Sequence, residues 1–147
     1  HRMGFIGSTD NHQGRPAGGP ALAAVFTQEL TRDAVWTAMR DRRCYATSGA
    51  RILLSFDVNE CPMGTETRSP ADRARTVHVQ AIGTGPLKQI DLIRNGQVLY
   101  TKTQPGDQTE FEFRDPEPLT ENVYYYARVI QEDTQMAWSS PVWVDRE

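Results

Sequence analysis

From about residue 50 onward, apolar and polar positions alternate with a period of two, the pattern of strands that bury one face. Ile52, Leu54, Phe56 and Val58 alternate with Leu53, Ser55 and Asp57. Val77, Val79 and Ala81 alternate with His78 and Gln80, and Phe111 and Phe113 with Glu110 and Glu112. These runs and their neighbours predict strands near 51–58, 76–83, 88–94, 97–102, 109–114, 122–131 and 136–144. A mainly β fold follows: an immunoglobulin-like antiparallel sandwich of about seven strands over residues 50–147.

The clearest local signal is "QIDLIRNGQVLYT". Asn95 and Gly96 tolerate the positive φ angles of a type I′ turn and stand between two apolar runs. A two-residue loop there sets Ile93 opposite Val98 and Leu92 opposite Leu99.

Residues 1–49 follow a different pattern. Thr31 is suited to N-cap a helix over "RDAVWTAMRDRR", in which Ala34, Val35, Ala38 and Met39 recur at helical spacing. Asp33 in the first turn and Arg40, Arg42 and Arg43 at the far end complement the helix dipole, which explains the arginine cluster without a phosphate ligand. Ahead of the helix, "GFIGS" (4–8) predicts a short strand, and a loop rich in glycine and proline follows it. "YATSGAR" (45–51) is expected to be a hinge into the first sandwich strand, with Thr47 or Arg51 within reach of an anionic substrate as the other reading.

Charge narrows the partners. The 147 residues carry 16 basic and 19 acidic groups, a formal net charge of −3, so there is no broad electrostatic footprint for nucleic acid. No apolar run approaches the roughly 18 residues of a membrane span, and the compartment stays open. Cys44 and Cys61 form neither a C-x-x-C pair nor a zinc-ribbon pattern, and two unpaired thiols are expected.

The candidate chemistry lies at the end of the first predicted strand. In an extended backbone alternate side chains share a face, so Asp10 and His12 would point the same way, and carboxylate oxygen with imidazole nitrogen suits zinc, manganese or iron. A polar carboxyl end of a strand is also where α/β folds place their chemistry. "GFIGSTDNH" resembles the last metal-binding motif of the polymerase and histidinol phosphatase (PHP) superfamily. The wider span "GFIGSTDNHQGRP…LTRDAVWTAMRDRRCYATSGARILLSFDVNECPMG" resembles the carboxyl-terminal part of a large bacterial family related to PHP, with "YYYARV…AWSSPVWV" at the end of its β-sandwich.

This resemblance implies a metal-dependent hydrolase, of phosphoesters by preference, in which two or three divalent ions activate water. Only Asp10 and His12 match ligand positions. The opening H-x-H motif, the middle glutamate and the remaining histidines of such a barrel are absent, and His1 and His78 lie in no family motif. The resemblance implies that residues 1–49 are the last strand, loop and helix of a truncated PHP-like α/β barrel. The expected partner is the missing barrel portion of the same protein, together with a small-molecule substrate, and this chain alone is expected to be inactive. A lone strand at 4–8 would lack neighbours for its backbone groups, so residues 1 to about 30 are expected to be mobile or to self-associate.

Other chemistry fits less well. Ser8, Thr9 and His12 lack an orienting acid in a hydrolase elbow, and Gly14, Gly18 and Gly19 lack the strand-G-x-G-x-x-G-helix order of a nucleotide cradle. The alternative function is a binding module. Tyr124, Tyr126 and Trp143 alternate with Tyr125, Val142 and Val144, so one aromatic set could stack on carbohydrate or a protein partner, or else cover the sandwich edge or pack on the preceding domain.

Overall fold

The computed structural model describes residues 1–15 and 19–147. Gly18 of the glycine-punctuated loop lies outside them. The chain is mainly β, with 53% of residues in strands and 6% in helix. The order is β1 (Leu22–Val25), α1 (Arg32–Arg40), β2 (Cys44–Thr47), β3 (Leu53–Val58), β4 (Cys61–Pro62), β5 (Glu66–Ser69), β6 (Arg75–Arg94), β7 (Gln97–Asp115), β8 (Val123–Gln131), β9 (Met136–Ser139) and β10 (Val142–Arg146).

These strands form one curled sheet whose central path runs β1-β2-β9-β8-β6-β3-β4, with β7 beside β6 and β10 bridging β8 to β5. Every pairing is antiparallel except β5 with β10. The curl is made by the β6–β7 hairpin. The first half of β6 pairs with β3 and its second half with β8, and a register shift between Ile82 and Leu87 marks the corner. Buried Gln131 supports that corner, its Oε1 accepting from the Thr84 amide at 2.8 Å.

The alternation in the sequence is the alternation of the core. Leu54, Phe56, Val58, Val77, Val79 and Ala81 join Ile90, Leu92, Tyr125, Ala127 and Val129 in one buried cluster. The hairpin turn is as expected, with Asn95 and Gly96 at φ 50° and 80° and Ile93 opposite Val98. One residue further on the register slips: Leu92 faces Tyr100, not Leu99, because an irregularity falls between Leu92 and Ile93. The segments expected at 76–83 and 88–94 are a single strand, as are those at 97–102 and 109–114. The segment expected at 136–144 is broken by Ser140 and Pro141; both halves pair with β8, but the first also pairs with β2 and the second with β5.

Three readings of the first 49 residues change. Residues 4–8 are in no strand; Gly4, Phe5 and Gly7 are half-buried along the surface of the sheet, and Ile6 and Ser8 are exposed. "YATSGAR" is not a plain hinge, because Cys44–Thr47 is the fully buried strand β2, hydrogen-bonded between β1 and β9. Tyr45 enters the core and donates its hydroxyl to the Ile52 carbonyl at 2.9 Å. Helix α1 starts as expected, with Thr31 Oγ1 accepting from the Ala34 amide, but it ends at Arg40. Arg42, at φ 59°, lies past the helix and serves another purpose described below.

One polar cluster is built into the sheet. Fully buried Arg75 and Asp115 pair at 2.9 Å, Tyr125 donates its hydroxyl to the same carboxylate oxygen, and Arg94 reaches that oxygen at 2.9 Å. Arg75 also donates to the carbonyls of Arg73 and Glu117, fixing the 116–121 connection. Every buried side-chain polar atom among the described residues has a partner.

Candidate functional site

Residues 2–9 form a strap that carries the Asp10–His12 loop. At one end Arg2 pairs with Glu66 of β5 at 2.5 Å and with Asp145 of β10. Arg42 completes this latch: Nη2 lies 2.8 Å from Glu66, Nε donates to the Gly64 carbonyl at 2.9 Å, and the guanidinium sits 4.9 Å from the Trp143 ring centre. Arg2 foremost, with Arg42 behind it, holds the exposed Glu66 carboxyl below its usual range.

The middle of the strap is pinned by packing. The Phe5 amide donates to buried Ser140 Oγ at 2.8 Å, and the Phe5 ring meets Tyr126 edge-on with centroids 5.4 Å apart. Gly7 lies against β1 and β2 so closely that a Cβ would stand 2.3 Å from the Leu22 carbonyl oxygen and 2.9 Å from that of Thr47. The expected aromatic set is therefore partly occupied by the chain itself: Phe5 is on Tyr126, Arg42 is on Trp143, and Trp143 is buried.

Beyond the strap the chain turns. Ser8 Oγ accepts from the Asp10 amide and Thr9 Oγ1 from the Asn11 amide, both at 3.4 Å, while Asn11 Nδ2 donates to Thr9 Oγ1 and the Arg15 carbonyl at 3.0 Å. Asp10 takes φ 49°, so it and His12 are not brought to one side by a strand's alternation. The turn does it instead: His12 Nε2 and Asp10 Oδ1 are 3.9 Å apart, with the side chains 90% and 94% exposed. Asn11, Ser8 and Thr9, which shape this turn, were not singled out from the sequence as its organisers, although S-T-D-N is itself a run of turn-forming residues.

The pair fits a divalent ion in donor type and spacing. Two donors each ~2.0–2.1 Å from zinc stand about 3.4 Å apart at the tetrahedral angle, a small rotation away for side chains this exposed. Among the described residues no group of three or more His, Cys, Asp or Glu side chains converges as a metal cage. Cys44 and Cys61 are both free thiols, and Thr47 is buried with its hydroxyl accepting from the Gly49 amide.

His78 lies elsewhere, on the outer face of β6, with Nδ1 3.1 Å from Asp57 and Nε2 2.8 Å from Glu110. Burial lowers its pKa, but bonds to Glu110 and Asp57 outweigh that and raise it above the ordinary histidine value. The fold therefore favours the imidazolium. This stabilisation is complete below the unfolded value of about 6.5 and is lost as pH rises through the higher folded value. Denaturation midpoints measured between pH 6 and 9 should fall with rising pH, and His78→Gln should flatten that slope; an unchanged slope in the variant would assign it to another group.

Fold and loop together define a mainly β domain that presents a strapped, exposed carboxylate–imidazole pair. Comparison with known proteins narrows this further. Residues 17–85 match the family described as "Protein of unknown function (DUF3604)". The chain is 38% identical over 141 residues to an uncharacterized protein of Chlamydia pneumoniae, and 36% and 34% identical to uncharacterized proteins of Chlamydia muridarum and Chlamydia trachomatis. Each alignment covers 86% of this chain and 23% of the relative, so the chain spans about a quarter of the length of the curated relatives it matches. No helix among the described residues is long and apolar enough to cross a membrane.

Proposed function

We propose that this chain is one part of a longer polypeptide of that family, acting as a PHP-type metal-dependent hydrolase of phosphoesters, to which it contributes the ligands Asp10 and His12 and an accessory β-sandwich. The observation that carries the reading is the approach of Asp10 and His12 to 3.9 Å on an exposed, strapped turn. A structural ion pair gains little at that exposure, whereas ligands that complete a cluster with donors from elsewhere need to face outward. The resemblance of "GFIGSTDNH" to the last PHP ligand motif and the greater length of the relatives both support it.

In this role Asp10 and His12 hold zinc, manganese or iron, and such an ion supplies a water acidified toward neutrality and a Lewis acid for the phosphoryl group. Asn11, Ser8 and Thr9 set the loop's shape, and the Arg2 and Phe5 anchors fix its height above the sheet. The remaining ligands and the substrate pocket come from the rest of the polypeptide, so the 147 residues alone are not catalytic.

The test is metal content and phosphoesterase activity of the complete gene product. Asp10→Asn and His12→Gln should each lower bound metal by elemental analysis and reduce hydrolysis of an aryl phosphate by about two orders of magnitude or more. Full metal occupancy and full activity in both variants would overturn the assignment.

A further inference from the structure

Helix α1 buries small apolar residues but carries large apolar side chains on its outward side as well. Amphipathic helices bury their large apolar side chains and expose their polar ones. Here the residue buried against the sandwich is Ala38, while Trp36 is 67%, Met39 41% and the adjoining Leu30 93% exposed. Leu30, Val35, Trp36 and Met39 line one shallow recess, with Arg32 and Asp33 also on its wall. Single exposed apolar residues need no explanation, but a large tryptophan, a leucine and a methionine gathered on one face mark a surface made to be covered.

We infer that this face of α1 is the seat on which the rest of the longer polypeptide docks. The inference rests on the reading of the chain as part of such a polypeptide and adds where the two parts meet. Two observations select this occupant over a second copy of the chain. Three relatives continue over about four times the length aligned here, so most of each lies outside this region, and α1 falls within the residues that the family match covers.

Size is the second. A nine-residue helix is only about 14 Å long, so one of its faces falls far short of the ~800 Å² per partner of a stable bimolecular interface. A covalently joined partner needs no such area, because the link presents it at effective concentrations in the millimolar range. Trp36, as the broadest side chain on the face, is the natural anchor of the contact.

The experiment is oxidative footprinting of Trp36 by mass spectrometry, in the 147-residue chain and in the complete gene product, with exposed Met3 as an internal reference. Docking predicts that Trp36 is oxidised several-fold more slowly in the complete protein. Leu30→Ser with Met39→Ser in the complete protein should restore the fast rate while leaving the 147-residue chain's melting temperature unchanged. Equal rates in the two proteins would overturn the inference. So would protection of Trp36 in the 147-residue chain that grows with concentration alongside a dimer in sedimentation, since that makes a second copy the occupant. Failure of Asp10→Asn to lower metal content would remove the hydrolase reading without altering this readout.

Discussion

Replacing Asp115 by asparagine is expected to destabilise the fold by about 3–5 kcal/mol, the range for breaking a buried ion pair from one side. The carboxylate oxygen Oδ2 accepts from Arg75, Arg94 and Tyr125, and Oδ1 from the Glu117 amide at 3.1 Å. An amide of the same shape keeps the packing but leaves the fully buried Arg75 guanidinium without its counter-charge. Tyr125 feels the same geometry from the other side, as burial and the Asp115 carboxylate push its phenol up to about 12.

The pH dependence has a defined sign. Burial raises the Asp115 pKa, but Tyr125, Arg75, the Glu117 amide and Arg94 outweigh it and hold the carboxyl below its usual value. Its contribution is therefore present above the unfolded value of about 3.9 and is lost as pH falls through the lower folded value. Urea denaturation at pH 7 and pH 3 should show a large gap between wild type and Asp115→Asn at the higher pH and a smaller one at the lower. A variant within 1 kcal/mol of wild type at pH 7 would mean the cluster is not a stabilising unit.

Gly64→Ala should be nearly as damaging, for a backbone reason. Gly64 has φ 90°, which costs an L-residue about 1–2 kcal/mol. An added Cβ would stand 2.4 Å from the Arg42 carbonyl oxygen, 2.5 Å from its carbon and 2.8 Å from the Asp41 carbonyl oxygen. Relieving that overlap means moving main chain, which adds ~1–3 kcal/mol. The displaced backbone is also the one from which Arg42 reaches Gly64, Glu66 and Trp143, so the latch on Arg2 should loosen with it. Thermal melting should drop and tryptic cleavage after Arg2, the residue the latch holds, should accelerate in this variant. Unchanged melting together with wild-type cleavage would show that the latch does not depend on this contact.

The parts of the fold legible in the sequence are those where one local rule acts alone. Alternation marks a buried strand face wherever a strand is long enough to show it, as in β3, β6 and β8. Thr31 and the Asn95–Gly96 pair work through their own backbone geometry, so they could be placed without knowing their neighbours. β1 and β2 escaped because "LAAV" and "CYAT" are short and rich in small residues, the second of them buried throughout, with no period to read. The sequence places Leu92 opposite Leu99, one residue from its partner Tyr100, because an irregularity in a ladder leaves no mark on the hydrophobic pattern.

The candidate site divides in the same way. Asp10 and His12 could be picked out as residue types with a spacing, but the proposed cause of their proximity was a strand, and the structure supplies a turn. "GFIGS" reads as a short apolar strand, but that composition serves equally a segment that rests on the sheet without joining it, as Phe5 and Gly7 do while Ile6 and Ser8 meet water.

By itself, then, the sequence determined the mainly β class, the start of the one helix among the described residues and the β6–β7 hairpin, because each follows from interactions within a few residues of chain. Tertiary structure alone decided that residues 2–9 are a strap, that Arg42 latches it, that β2 lies inside the sheet and that Trp36 faces outward. Those outcomes depend on contacts between groups far apart in the chain, Arg2 with Asp145 and Phe5 with Ser140 among them, and no local pattern encodes which distant surface a segment will meet.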